Sequence, residues 1–254
     1  MAKNEVTEVK ENTSIVAADS TDSLKVEIAQ EDMMIPFLRV VQSLSEEVTP
    51  GKDKYNPDVR PGDLYDGVTR TIFKNAKVIV CGMRKYFSEW TPDVRGKLVG
   101  KHLPTSDVVK NAKKVEVTTD KGFTFTNLKT GENNLLETYG IVLLIKNEDG
   151  TALPGVLTLS KTSFATGRQL STLIAIHQEK GVPVFTLTTT STSNSKGSWF
   201  KPAFSFDSYE TDKMMLDWAK GLHAMTDNIL FRNSREDSDA QAEPATADVD
   251  DGLL

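Results

Sequence analysis

Three stretches of this sequence repeat one pattern, two strand-length runs with a short polar turn between them. "KKVEVTTDKGFTFTNLKTGE" turns at Asp120, Lys121 and Gly122. "LLETYGIVLLIKNEDGTALPGVLTLS" turns between Asn147 and Gly150, and "PVFTLTTTSTSNSKGSWFKPAFSFD" turns at a long Ser/Asn/Gly tip. Glycine and asparagine tolerate the backbone of a tight turn, and the flanking β-branched and aromatic residues suit a pleated surface. Each stretch therefore reads as a β-hairpin. "PGDLYDGVTRTIF" adds a shorter one about Asp66 and Gly67, and "MIPFLRVVQ" is an apolar strand entered through Pro36. "AKVIVCGMRKYFSEW" alternates, with Ile79, Cys81, Met83 and Phe87 pointing one way and Arg84, Tyr86 and Trp90 the other.

Two helices interrupt the strands. The first spans about Thr162 to Lys180, with Gly181 as its stop signal, Pro183 beyond, and Leu170, Leu173, Ile174 and His177 on one face. The second spans about Tyr209 to Met225. It has a capping-box-like start at Asp207 and Glu210, and a stripe of Met214, Met215, Trp218, Leu222 and Met225. Many short strands with few helices predict a mainly β chain, either a barrel or a sandwich. A helix between two strand-like runs suits a five-stranded barrel of the oligonucleotide/oligosaccharide-binding (OB) type, elaborated with hairpins. A sandwich of another kind fits less well, and periodicity alone does not separate the two.

Charge divides the chain into three. Residues 1–33 carry three lysines against eight acids and hold no sustained period, which predicts a disordered arm. Residues 236–254 carry seven acids, no base and no aromatic, which predicts a disordered tail. Residues 34–235 then hold 27 Lys and Arg against 21 Asp and Glu, a net +6 that the overall charge of -6 conceals. A basic body between acidic ends attracts polyanions, and the tail can occupy the same surface when no polyanion is present.

Catalytic patterns are missing. His102, His177 and His223 stand far apart, there is one cysteine, and neither a H-E-x-x-H run nor a phosphate-binding glycine loop occurs. A non-enzymatic protein without metal or cofactor is expected, with His177 structural. The N-terminus lacks the apolar core of a signal peptide, no run reaches membrane-span length, and a lone Cys81 suits a reducing cytoplasm.

Contact residues say more. In "MRKYFSEW" one face carries Arg84, Tyr86 and Trp90, with Lys85 beside them. In "SNSKGSWFKPAF" Trp199 and Lys201 share one parity, with Lys196 at the tip and Phe200, Phe204 and Phe206 on the other. An exposed ring beside a cation suits single-stranded nucleic acid, because bases stack on the ring while cations track phosphates. Lys161 and Arg168 join the candidates from the first half of a helix whose start can face phosphate. The competing reading is packing, since strand aromatics usually serve as core. Phe123 and Phe125, beside Lys121, stack bases or brace their hairpin.

The fragments "IPFLRVVQSLSEEV", "RPGDLYDGVT", "VIVCGMRKYFSEW" and "SKTSFATGRQLSTLIAI" resemble the recurring pattern of single-stranded DNA-binding proteins encoded by tailed bacteriophages. In that pattern a proline-led strand precedes Q-x-L-S-x-E-V. A P-G-D turn follows, then an aromatic strand ending in Glu-Trp, then a Ser/Thr-Lys helix start. The resemblance covers roughly residues 34–206. It implies an OB-type fold, a role in phage DNA replication, recombination or repair, and a location in the host cytoplasm. It also implies an acidic tail that docks replication or recombination proteins, here through Asp248, Asp250, Asp251, Leu253 and Leu254. This tail ends Gly-Leu-Leu, whereas such tails commonly end in an aromatic. A recombination annealing protein and a virion or host-interaction module are the alternatives, and a homo-oligomer is compatible with all three.

Overall fold

The computed structural model describes residues 35–93, 96–118, 124–194 and 197–231. In chain order the elements are β1 (Phe37–Val40), β2 (Leu64–Asp66), β3 (Ile72–Phe73), β4 (Ala76–Trp90), β5 (Leu98–His102) and α1 (Asp107–Lys110). Then follow β6 (Lys113–Thr118), β7 (Thr124–Thr130), β8 (Asn133–Lys146), β9 (Ala152–Ser160), α2 (Phe164–His177), β10 (Pro183–Asn194), β11 (Gly197–Tyr209), α3 (Lys213–Ala224) and α4 (Thr226–Phe231). The acidic arm, the acidic tail and the expected turn at Asp120, Lys121 and Gly122 lie outside the described residues.

The long antiparallel pair β4–β8 carries the architecture, in register from Lys77 opposite Lys146 to Trp90 opposite Asn134. The sheet order is β11-β10-β4-β8-β9-β1-β2-β3. β5 sits on the far half of β4, and β7 and β6 lie beyond the far half of β8. β1 runs parallel to β9. The register shifts between Val80 and Gly82, so the alternation changes face there. Val78 and Val80 therefore share the inner face with Met83, while Ile79 and Cys81 face outward. This corrects the uniform parity that sets Ile79, Cys81 and Met83 on one side.

The sheet curls until the chain just past β1 meets β11. Gln42 Nε2 donates to Phe200 O at 2.8 Å, and Phe200 N donates to Gln42 Oε1 at 2.9 Å. One side-chain amide thus does what a neighbouring strand's peptide would do. Thr189 donates its hydroxyl to Gly62 O beside this contact. Gly62 has φ +93, and a Cβ there would lie 2.8 Å from the Phe200 ring, so only glycine fits. Ser45 Oγ accepts from Gln42 N at 2.9 Å, and the fully buried Glu47 pairs with Arg39. The Q-x-L-S-x-E-V and P-G-D fragments, bonded to each other between Val41 and Gly62–Asp63, thereby form one side of this seam and face β10 and β11 across it.

The result is a half-barrel of eleven strands in one sheet, not five, with four α-helices among the described residues where two were expected. β4 and β8 are 15 and 14 residues long, far more than a small barrel wall uses, and their outer halves carry β5, β6 and β7. Inside the curl lie Leu38, Leu64, Ile141, Leu143, Leu157, Phe185 and Leu187, with Leu170 of α2. Outside, Val142, Leu144, Val156 and Val184 pack under Met215 and Ala219 of α3 and Leu230 of α4. A sheet covered on both faces explains the unbroken apolar run from Ile141 to Ile145.

The first helix matches its expected bounds, with 3₁₀ turns at Lys161–Ser163 and Gln178–Lys180 flanking α2. The second starts later than expected. Asp212 is its N-cap, accepting from Met214 N at 2.8 Å and Met215 N at 3.4 Å. Asp207 belongs to β11 and pairs with Lys77. The expected stripe also divides, since Met215 is buried while Met214 and Trp218 are exposed.

Glu210 ties three elements together. Its carboxylate accepts from Lys146 Nζ and, at 2.9 Å each, from the N–H groups of Thr211 and Asp212. Burial pushes this carboxyl up, but the bond from Lys146 and the two N–H donors outweigh it and hold the group below the ordinary glutamate range. A depressed folded-state value stabilises the fold above the unfolded value, about 4.3, and that stability is lost as pH falls through the folded value. Glu210→Gln is expected to lower the urea midpoint at neutral pH. It should also flatten the decline in midpoint between about pH 5 and pH 3. A decline as steep as that of the unaltered protein would assign the acid sensitivity to other carboxylates.

Candidate nucleic-acid interface

Beyond the bulge in β4, Arg84, Tyr86 and Trp90 do share one sheet face, but α4 covers its first half. Arg84 Nε donates to Asp227 Oδ1 at 2.7 Å. The Phe231 ring meets Tyr86 edge-on at 5.5 Å, and Tyr86 is 1% exposed. Lys101 Nζ donates to Leu230 O at 2.9 Å and lies 6.0 Å from the Tyr86 ring centroid. Tyr86 is therefore a core residue and presents no ring face to a base, and Arg84 already has a carboxylate partner. Alternation identified the face, but what covers it arrives some 140 residues later in the chain.

Trp90, the last residue of β4, is half-buried, and its Nε1 lies buried with no acceptor among the described residues. Trp199 repeats this on β11. It stands opposite Thr192, with Lys201 opposite Thr190 on the same parity. On the other parity Phe204 and Phe206 pack into the inner core, and Phe200 covers Gly62. Lys196, at the tip, lies outside the described residues, as do Asp248, Asp250, Asp251, Leu253 and Leu254.

Lys85 faces the inner side, opposite Tyr139, and pairs with Glu137. There it joins a cluster whose aromatic members sequence patterning does not single out. The Phe164 ring stacks on Tyr139 at 4.7 Å and 28°. Lys85 Nζ lies 5.7 Å and Arg168 Cζ 5.1 Å from the Phe164 centroid. Tyr139 in turn rests on Gly167, where a Cβ would come within 2.9 Å of its Cγ. Lys161, exposed and at φ +47, stands in the turn just before Phe164. Alongside runs an open groove of about 270 Å³ lined by Met83, Lys85, Tyr139, Ser171, Ile174 and Gln178. The legible signal was the i,i+4 spacing of Phe164 and Arg168, which puts ring and guanidinium on one helix face.

So the nine candidate residues divide. Lys85 and Arg168 flank Phe164, with Lys161 in the turn before it; Trp199 and Lys201 lie on the β10–β11 hairpin; Trp90 stands at the end of β4. Tyr86 is buried under α4, Arg84 is part-exposed and paired with Asp227 of α4, and Lys196 lies outside the described residues. His177 is structural, stacked on Phe206 at 3.8 Å with its Nδ1 3.0 Å from Tyr209 Oη. Burial pushes the Cys81 thiol up to about 12, well outside the range of a reactive thiolate. Among the described residues no three His, Cys, Asp or Glu side chains are grouped to hold a metal, and no helix is long and apolar enough to cross a membrane.

No curated protein and no solved structure matches this chain. A family model described as Pam3 phage gp34-like protein matches residues 9–228.

Proposed function

We propose, from the premise that this chain belongs to the Pam3 phage gp34-like protein family, that it binds single-stranded DNA without sequence preference and without turnover. The observation that carries this reading is the Phe164 ring, stacked on Tyr139 and flanked by Lys85 and Arg168, with Tyr139 and Lys85 also lining an open groove. A base needs a ring to stack on and a phosphate needs a cation one backbone step away, and here the two stand together. Chain order adds support. β4, β8 and β9 form a meander, α2 follows, and β10 returns to pair with β4 before turning into β11. We read this order as that of an OB-type unit, in which β1 occupies the edge of β9 that a closed five-stranded barrel gives to its last strand. Oligonucleotides in such units lie across the second and third strands and against the hairpin joining the last two. Here that hairpin carries Trp199 and Lys201.

The place of action is phage DNA replication or recombination in the host cytoplasm. The acids of 236–254 compete with phosphate, and Leu253 and Leu254 anchor a replication or recombination protein. The test is a fluorescence titration with oligo(dT) and with duplex of equal length. Tryptophan emission should quench with the single strand at much lower concentration than with duplex. The logarithm of affinity should fall against the logarithm of salt with a slope of about -0.7 per phosphate neutralised. Equal affinity for duplex, or a flat salt response, would overturn the reading.

A further inference from the structure

We infer that the outer face of the β5–β4–β8–β7–β6 extension is a second nucleic-acid surface, separate from the Phe164–Tyr139 cluster and its groove, so that one chain holds two single-stranded segments at once. The inference rests on the nucleic-acid reading above but on different residues. Register sets one row of side chains across this face. Lys113 is opposite Lys129, Lys129 opposite Asn134, Asn134 opposite Trp90, and Trp90 opposite Leu98. Paired residues in an antiparallel ladder point to the same side, so two lysines and a tryptophan share one surface. Adjacent strands lie about 4.8 Å apart, which puts the row from Lys113 to Trp90 at about 14 Å.

Three features of the row point to an anion with a base attached. First, Lys113 and Lys129 are directly opposed, and like charges so placed repel. No carboxylate among the described residues pairs with either, so an anion seated between them would relieve the repulsion. Second, half-buried Trp90 presents a ring there, with its Nε1 lacking an acceptor among the described residues. Third, the described residues 96–118 and 124–132 hold six lysines against three acids, a net +3 out of the body's +6. Charge is concentrated on this extension rather than spread over the fold. Lys85 and Trp90 point to opposite faces of β4, so a strand in the groove does not occupy this row.

The test is stoichiometry on the full chain with an oligo(dT) of about eight nucleotides, within the range one OB-type unit holds. At low salt the unaltered protein should take up a second oligonucleotide. Lys113→Gln with Lys129→Gln should abolish the second and keep the first, while raising the melting temperature of the DNA-free protein by removing the repulsion. Trp199→Phe with Trp218→Phe leaves Trp90 as the lone tryptophan, and its emission should quench with the second equivalent. Phe164→Leu with Arg168→Gln should remove the first equivalent and spare the second. One equivalent per chain, sensitive to Phe164 and indifferent to the lysine pair, would overturn the inference and leave the proposed function standing. No uptake by the unaltered protein would overturn both.

Discussion

Phe164→Leu will weaken oligo(dT) binding by about 1–3 kcal/mol while leaving the fold intact. Leucine keeps the apolar volume that Phe164 packs against Tyr139 but removes the ring face, so a loss of affinity reports stacking rather than packing. Lys85→Gln with Arg168→Gln should act differently, flattening the salt dependence by about 0.7 for each phosphate that is no longer neutralised. Arg84→Gln is the comparison that decides between faces of β4. Arg84 is paired with Asp227 of α4 on the face opposite Phe164, so its removal should change affinity little. A larger loss from Arg84 than from Phe164 would move the binding surface to the outer side and imply that α4 leaves it when DNA binds.

Placing a side chain at Gly82 will destabilise the whole body. A Cβ there would stand 2.6 Å from Thr226 Cγ2 and 2.8 Å from Thr226 Cβ, under a residue that is 1% exposed. Gly140 makes the neighbouring close contact, with a Cβ 2.7 Å from Tyr86 Cε1 and 2.9 Å from Leu230 Cδ2. These two glycines let α4 sit directly on the sheet, so Gly82→Val must push α4 away. That uncovers Tyr86, Val142 and Leu230. Overpacking of this kind costs about 1–3 kcal/mol or more, and Gly82→Val is expected at the upper end. The reading is the urea midpoint at constant m-value. In the milder Gly82→Ala, adding Thr226→Gly should recover part of the loss, because it removes the atoms in conflict. An unchanged midpoint for Gly82→Val would mean that α4 is not part of the cooperative fold.

Sequence alone determined the elements whose cause is local. The three hairpins follow from turn residues between alternating runs, and their ladders are present as β6–β7, β8–β9 and β10–β11. The helix between two strands ends at Gly181 as its stop signal requires. The opposite parities of Trp199 and Phe204 also follow from simple alternation, because β11 has no bulge between them. Tertiary structure decided everything that depends on a distant segment. The bulge at Val80 to Gly82 changes which β4 residues face inward, and only the pairing with β8 reveals it. Tyr86 reads as an exposed aromatic until α4 folds back over it, since alternation names a face without naming its cover. Gln42 reads as an ordinary polar residue until Phe200, 158 positions later, accepts from and donates to its amide. Phe164 and Tyr139 stack only where a helix start meets a strand middle, and Lys113 joins the row that holds Trp90 only across three strand pairings. Local chemistry fixes φ, ψ and which side chains alternate. Burial and charge pairing depend on which surfaces meet, and those surfaces come from residues far apart in the chain.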